Sequence, residues 1–163
     1  MILGILSDSH GRHRRTARAI RLLQGLGAEA LVHCGDLGSE AVLDELVGLR
    51  VWFVWGNTDS VGPLLRNYAR VLGLPVPETI PLRLELAGRS IAVFHGHEPQ
   101  FTDLARRIQH HLGRVTSPDI AARHENPRRI FGATLSDCDY ILYGHSHKAT
   151  DARVCRVRPS NIC

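Results

Sequence analysis

Residues that can bind a metal ion recur along this chain wherever a short apolar segment ends. The set comprises two aspartates, one asparagine and several histidines: Asp8, His10, Asp36, Asn57, His95, His97, His145 and His147. Glycine lies next to the first metal-binding residue in four of the five groups, and glycine lets a backbone turn tightly and come close to a bound ligand. A Gly-Asp or Gly-Asn pair alone usually forms a turn. The five groups together, in this order, indicate a single binding site.

The donor atoms of this set indicate which ions it could hold. Carboxylate oxygens, an amide oxygen and imidazole nitrogens, without a thiolate, suit Mn²⁺, Fe, Ni²⁺, Co²⁺ or Zn²⁺ better than Ca²⁺ or Mg²⁺. These are too many ligands for one tetrahedral ion. Seven of them, all except His97, suit two ions about 3.5–4 Å apart. Ions at that spacing clamp the attacking and leaving oxygens of an in-line displacement. The residues therefore predict a dinuclear site.

The elements that must position these residues follow from the hydrophobic pattern. The apolar segments "MILGILS", "EALVHCG" and "RVWFVWG" are separated by two helical patterns, one with Ala17, Ile20, Leu23 and Leu26 on one side, the other with Ser39 placed to cap it. Short apolar runs between helices predict βαβ units and a parallel sheet covered on both faces. Ligands of such sheets bind at the carboxyl ends of the strands.

The second half of the chain has a different pattern. A short helix is expected after Pro63, and "TIPLRLELAG" then alternates apolar with polar residues before turning at "AGRS" into "IAVFHGH". This pattern predicts a β-hairpin. Residues 99–113 are expected to be helical, with "CDYILYGHSH" a buried strand and "ARVCRVR" a last strand. The chain has no internal repeat or linker, so we expect one domain over residues 1–163.

Composition narrows the class of protein. With 163 residues, of which 44% are hydrophobic and 22% charged, the chain is typical of a soluble globular domain. The opening apolar segment reaches Asp8 too early for a signal peptide or a membrane span, and four scattered cysteines fit neither a Cys-x-x-Cys site nor a disulfide scaffold. We expect a cytoplasmic protein with no membrane partner. The net charge of +4 comes from scattered arginines, which favours solvated helix faces over a nucleic-acid surface.

The five groups resemble a known set of motifs. "SDSHG", "CGDLG", "WGNTD", "FHGHE" and "YGHSHK" are similar to the successive motifs of the calcineurin-like metallophosphoesterase superfamily, and most similar to its small single-domain bacterial and archaeal phosphodiesterases. The resemblance implies an α/β fold, a four-layer αββα sandwich with the metal site at the carboxyl ends of the strands. It also implies a ligand set: Asp8, His10 and His147 for the first ion, Asp36 bridging both, and Asn57, His95 and His145 for the second.

The resemblance further implies an activity. Two divalent transition-metal ions, Mn²⁺ being the expected one, would bind a bridging hydroxide that hydrolyses a phosphodiester, and some phosphomonoesters, of a small-molecule substrate. Many members follow Gly-Asn with a histidine that protonates the leaving oxygen, whereas this chain has Thr58. His97 is the candidate replacement for that acid; the alternative is that it orients a ligand or a substrate oxygen. Asn57 and His97 are thus the candidate catalytic residues.

Other departures from the family pattern lie towards the carboxyl terminus. The 46 residues between His97 and Gly144 are long for the small relatives. The ending "VRPSNIC" is a weak echo of the Asn-Pro-Gly-Ser often found there, which leaves open any homo-oligomer contact that the last strand supports. Among the remaining polar residues, we expect His33 to be a satisfied core histidine and Asp59 to brace its turn or contact His10.

Two other functions compete with the hydrolysis of small phosphodiesters. The same fold serves as a non-catalytic scaffold in the retromer small subunit, where the metal ligands are partly lost; all seven are present here. The DNA-repair branch of the superfamily contains nucleases, which carry an additional DNA-binding domain for which this chain has no room. Metal content after Mn²⁺ loading separates the enzyme from the scaffold, and DNA binding with a steep salt dependence would favour the nuclease.

Overall fold

The structure is a computed structural model that describes residues 1–59, 63–98, 135, 137–145 and 147 of the 163-residue chain. The elements in chain order are β1 (Ile2–Leu6), α1 (His13–Gly25), β2 (Ala28–His33), α2 (Glu40–Asp44), β3 (Val51–Phe53), α3 (Pro63–Val71), β4 (Leu82–Leu86), β5 (Arg89–Phe94) and β6 (Tyr140–Tyr143). Within these ranges, none of the helices combines the length and apolarity that crossing a membrane requires.

The first sheet contains β1, β2 and β3 in that order, all parallel. Successive side chains of a strand point to opposite faces. Leu31 and Phe53 therefore pack with the helices on one face, whereas Val32 packs with the second sheet on the other. Burial on both faces is the reason that β2 and β3 are almost continuously apolar, whereas Ile2 and Ile5 of β1 remain 54% and 50% exposed. The predicted parallel sheet is confirmed.

The second sheet has the order β4, β5, β6. Strands β4 and β5 form the predicted antiparallel hairpin, and Leu86 pairs with Arg89 across a two-residue turn. Both turn residues, Ala87 and Gly88, have positive φ, at 50° and 70°, as the tight turns of twisted hairpins require. Strand β6 then pairs parallel to β5, so the carboxyl ends of β5 and β6 lie at the same edge of this sheet.

The two sheets pack face to face through an apolar cluster. Its buried members come from both sheets: Val32, Cys34, Val54, Leu84, Leu86, Ile91 and Val93. On the outer face of the first sheet, α1, α2 and α3 cover a second cluster that contains Ile20, Leu43 and Ala69. The αββα prediction is confirmed in these layers. The expected helix at 99–113 and the strand "ARVCRVR" fall outside the described residues.

Two local predictions were wrong. Leu26 was expected on the buried side of α1, but it is the C-cap residue of a helix that ends at Gly25, and it is 67% exposed. Ser39 does occupy the N-cap position of α2, yet its side chain makes no capping hydrogen bond. Its hydroxyl oxygen is buried and has no hydrogen-bond partner among the described residues.

Candidate metal centre

The packing of the two sheets brings their strand ends together at one edge of the sandwich. The Nδ1 atom of His95, directly after β5, lies 2.7 Å from the carbonyl oxygen of Cys34, directly after β2. The backbone N–H of His145, beyond β6, donates to both carboxylate oxygens of Asp8 at 3.2 Å. Residues far apart in the chain are therefore in direct contact where the sequence predicted a site.

A first group of potential ligands consists of Asp8, His10 and His147, whose ligand atoms all lie within 4.8 Å of one another. His147 Nε2 lies 3.3 Å from Asp8 Oδ1 and 3.2 Å from His10 Nε2. The side chain of His147 is 61% exposed and that of Asp8 only 12%. This group therefore lies at the open side of the site, where a substrate can approach.

A second group consists of Asp8, Asp36 and His95, and it shares Asp8 with the first. Asp36 and His95 are buried, at 2% and 0% exposure. Asp36 Oδ2 lies 3.4 Å from His95 Nε2 and 3.7 Å from His10 Nε2. Asp36 Oδ2 thus lies within 4 Å of a histidine of each group, although the residue that the two groups share is Asp8. The bridging role of Asp36 stays a prediction.

The buried nitrogen of His95 fits a cation better than it fits the protein alone. Its Nδ1 is 2.7 Å from the Cys34 carbonyl oxygen, which can only accept, so Nδ1 carries the proton and Nε2 carries a lone pair. Nε2 is buried without a hydrogen-bond partner among the described residues and faces the Asp36 carboxylate. A lone pair and an anion at that distance repel unless a positive ion lies with them, so the donor set fits a divalent metal ion.

The backbone at these residues is unusual for side chains other than glycine. Positive φ values occur at five predicted ligands: Asp8 (56°), His10 (45°), Asp36 (57°), His145 (68°) and His147 (52°). Left-handed backbone costs about 1–3 kcal/mol at such residues and clusters at functional sites. Sequence reasoning gave the tight turns to the neighbouring glycines, and Gly35 and Gly96 do have positive φ, at 94° and 108°, but the ligands themselves also adopt the left-handed conformation.

Two of the neighbouring glycines are needed for space. A Cβ atom on Gly56 would collide with the Asp36 carboxylate and its backbone nitrogen. A Cβ on Gly144 would collide with the Ser7 hydroxyl and lie 2.9 Å from Asp8 Oδ2. Both glycines therefore let a strand end pass directly against a candidate ligand, as their position in the sequence predicted.

The environment of Asp36 keeps its carboxylate charged. Burial alone would raise its pKa, but hydrogen bonds from Thr58 and the nearby His95 and His10 outweigh burial, so the pKa lies below its ordinary value. The backbone N–H of Thr58 donates to Asp36 Oδ1 at 2.9 Å. Since a carboxylate must be deprotonated to bind a metal ion, this residue is ready to do so at neutral pH.

Asp59 braces the two loops that carry Asp36 and Asn57. Its carboxylate accepts backbone N–H groups from Leu37 (3.0 Å), Gly38 (2.7 Å) and Gly56 (2.9 Å). It is 3% exposed. The expectation that Asp59 is a loop brace is confirmed, and the brace joins two loops instead of one.

Glu98 braces the loop after β5 in the same way, and the sequence analysis did not identify it. Its carboxylate accepts the N–H of His95 at 3.1 Å and that of Gly96 at 2.7 Å. A shared signal was available: in "GNTD" and "HGHE" an acid stands three residues after the amide that it accepts. Such local side-chain to backbone bonds recur at turns and helix starts.

The remaining candidates lie around this centre. The ring of His145 is 5.1 Å from that of His95, and the ring of His97 is 5.4 Å from it, measured between centroids. His97 Nδ1 is 3.9 Å from Glu98 Oε2. Asn57 is exposed in the loop after β3, next to Thr58, which contacts Asp36. The ligand and catalytic roles assigned to all of these residues stay predictions.

Two facing sheets, with carboxylates and histidines brought together at their strand ends, make this an α/β protein with a candidate metal centre. The chain belongs to the calcineurin-like phosphoesterase superfamily: the model of the calcineurin-like phosphoesterase superfamily domain matches residues 1–161. The predicted family is therefore confirmed.

Individual relatives are more distant. Phosphodiesterase MJ0936 of Methanocaldococcus jannaschii is 24% identical over 107 residues, which are 64% of this chain and 64% of the relative. The match thus spans under two thirds of that protein's length. The solved structure of an archaeal phosphodiesterase has a TM-score of 0.64 at 21% identity, over 94% of this chain and 78% of that one, a likeness of fold alone. YfcE, a phosphoesterase from E. coli, has a TM-score of 0.48 at 27% identity, over 61% of each chain.

Proposed function

We propose that this chain is a dinuclear metal-dependent phosphodiesterase that acts on small or activated phosphodiesters. The observation that carries the proposal is the pair of ligand groups that share Asp8, with the buried Nε2 of His95 facing Asp36. Membership of a phosphoesterase superfamily supports the same chemistry. Two divalent ions, Mn²⁺ being the expected one, would be held by Asp8, His10, Asp36, Asn57, His95, His145 and His147.

In this proposal the side chains contribute charge, position and access. Two divalent ions, when bound, supply an activated water and neutralise charge on the phosphoryl oxygens. Asp36 places a buried negative charge between His10 and His95, and Asp8 contributes to both groups. The exposure of His147 leaves the first group open to solvent, so a phosphodiester would enter from that side.

The proposal is tested by hydrolysis of bis(p-nitrophenyl) phosphate. The Mn²⁺-loaded protein is expected to turn this diester over, and removal of the metal with EDTA is expected to abolish turnover, which returns when Mn²⁺ is restored. A panel of mono- and diesters then defines the preferred bond. Absence of turnover together with fewer than one metal ion per chain after loading would contradict the proposal and favour a scaffold role.

The threonine at position 58 predicts which phosphoesters the enzyme prefers. A threonine hydroxyl is too weak an acid to protonate a leaving oxygen, so diesters with good leaving groups should react far better than alkyl monoesters. Because a well-placed general acid contributes about 10²–10⁴-fold, Thr58→His is expected to narrow that gap by up to about 100-fold. The comparison is the ratio of kcat/KM for an aryl diester and an alkyl monoester.

The control for that variant is Thr58→Val. It removes the hydroxyl that contacts Asp36 without adding an imidazole, so it isolates the loss of that hydrogen bond. An unchanged ratio in Thr58→His would mean that the acid is supplied elsewhere, with His97, whose ring lies beside that of His95, as the next residue to replace.

A further inference from the structure

A buried hydrogen-bonded chain lies beneath the loop that carries Asp8 and His10. Ser9, between these two residues, points its hydroxyl at His33, and the distance from Ser9 Oγ to His33 Nε2 is 2.8 Å. The Thr16 hydroxyl lies 2.9 Å from Ser9 Oγ and 3.2 Å from the carbonyl oxygen of Arg12. The chain thus connects the end of β2, the first ligand loop and the start of α1.

The protons of this chain can be placed by accounting for donors. His33 is 0% exposed, and burial lowers its pKa to about 4, so the ring is neutral at pH 7 and carries one N–H. His33 Nδ1 has no hydrogen-bond partner among the described residues. A proton there would be an orphaned buried donor, which proteins avoid more strongly than an unsatisfied acceptor. Placing the proton on Nε2, from which it is donated to Ser9 Oγ, leaves no ring donor unpaired.

The donor and acceptor roles in the rest of the hydrogen-bonded chain then follow. The Thr16 hydroxyl has one proton, for which both Ser9 Oγ (2.9 Å) and the Arg12 carbonyl oxygen (3.2 Å) are within reach. The carbonyl can only accept and Ser9 already accepts from His33, so we assign the Thr16 proton to the carbonyl and the Ser9 proton to Thr16 Oγ1. In this arrangement each hydroxyl both accepts and donates, and the unsatisfied atom is the lone pair on His33 Nδ1.

The loop that carries Asp8 and His10 needs an anchor of this kind. Asp8 and His10 have φ values of 56° and 45°, and strained residues persist only where their surroundings fix them. Backbone hydrogen bonds tie this loop to the neighbouring one, from Asp8 N–H to Gly35 O and from His10 N–H to Asp36 O. The Ser9 hydroxyl supplies a side-chain connection to the buried interior from the centre of the loop.

We propose that Ser9, His33 and Thr16 form a positioning chain that fixes Asp8 and His10 for metal binding, with His33 in its Nε2–H tautomer. The proposal rests on the proposed function in that the loop's ligands must hold a metal ion. It assigns to buried His33 a role through Ser9 that is separate from the metal ligands. These residues touch neither substrate nor metal; they act by orienting the residues that do.

The decisive variant is Ser9→Ala, and Ser39→Ala is its matched control. Ser9→Ala is expected to weaken binding of Co²⁺ at one of the two sites by about 10- to 100-fold, the usual effect of losing a group that orients a ligand. Ser39 also lies against this loop, 3.6 Å from the Cβ position of Gly11, but its hydroxyl has no hydrogen-bond partner among the described residues. Ser39→Ala should therefore keep the wild-type Co²⁺ titration, followed by absorbance.

A spectroscopic readout tests the tautomer independently of metal and activity. Long-range ¹H–¹⁵N correlation spectra should show neutral His33 protonated on Nε2, with a proton that exchanges slowly in the wild type and faster in Ser9→Ala. Thr16→Val, which keeps side-chain shape, should weaken Co²⁺ binding in the same direction, and Thr16→Ser should restore it. The Thr16 pair serves the same purpose if Ser9→Ala does not fold.

The outcomes separate this proposal from the proposed function. Wild-type Co²⁺ affinity in both Ser9→Ala and Thr16→Val, or an Nδ1–H tautomer of His33, would overturn the positioning chain while leaving a phosphodiesterase intact. Weakened Co²⁺ binding in the variants of a protein that hydrolyses no diester would support the chain and contradict the function. A wild-type protein that binds no Co²⁺ would contradict both.

Discussion

Replacing Asp36 with asparagine is expected to lower kcat/KM for bis(p-nitrophenyl) phosphate by about a hundred- to a thousandfold, the effect of removing one group that stabilises charge in a transition state. Asparagine has nearly the same shape, so the change removes a charge and leaves the volume of the side chain unaltered. In the wild type the charged Oδ2 lies between His10 Nε2 and His95 Nε2, at 3.7 and 3.4 Å. A neutral amide there could neither bridge two cations nor offset their mutual repulsion, so both metal binding and turnover are expected to fall.

The measurement pairs steady-state kinetics in Mn²⁺ with metal content after gel filtration. Asp36→Asn is expected to retain fewer metal ions per chain than the wild type. Asp44→Asn is the matched control, because Asp44 is an exposed aspartate whose Oδ1 accepts from Tyr68 at 2.8 Å, and an asparagine oxygen can still accept that bond. Full activity in Asp36→Asn, with the control unchanged, would exclude Asp36 as a bridging ligand.

The sequence was most informative at the strand ends. Asp8, Asp36 and His95 were predicted together because three apolar segments stop immediately before polar residues, and parallel strands end at a common edge. The parallel sheet followed from the apolar runs between helical patterns, and the hairpin whose second strand begins at Arg89 followed from the alternation of apolar and polar residues around a turn. Periodicity reports which face of an element is buried, so it succeeds wherever the site is built on regular strands.

Periodicity is uninformative where the chain leaves a regular element. Leu26 continues the apolar spacing of α1, yet the helix has already ended at Gly25, and no pattern of side chains states where the backbone turns. His33 was correctly predicted to be a buried core histidine with a hydrogen-bond partner, but that partner, Ser9, is 24 residues away and no sequence pattern names it. Such contacts depend on how two loops meet in space.

The carboxylates of Asp59 and Glu98 lie between these two cases. Each accepts the amide three residues before it, which is a local pattern that a sequence can display. The other two bonds of Asp59, to the amides of Leu37 and Gly38, cross from one loop to another and are visible only in the fold. Two of the three hydrogen bonds of this brace are therefore ones that the sequence does not predict.

Asp59→Ala is expected to reduce the free energy of unfolding by at least about 3 kcal/mol, since it leaves three amides without their partner and each buried unpaired group costs about 1–3 kcal/mol. These amides belong to Leu37, Gly38 and Gly56, which flank the loops of Asp36 and Asn57. Urea denaturation in EDTA measures the stability without any metal contribution. Asp44→Ala, which loses one exposed hydrogen bond, should cost no more than about 1 kcal/mol.

Asp59→Asn separates bracing from charge. The oxygen of asparagine can replace Oδ2, which accepts from Leu37 and Gly56, while its NH₂ group would face the Gly38 amide that Oδ1 accepts at 2.7 Å. Two hydrogen bonds survive and the third becomes a contact between two donors. The free energy of unfolding of Asp59→Asn should therefore lie between those of the wild type and Asp59→Ala. Co²⁺ affinity should decline in the same order, because Asp36 precedes Leu37 directly. A residue that only formed its own turn would leave Co²⁺ affinity unchanged in both folded variants, and that result would reduce Asp59 to a local turn former.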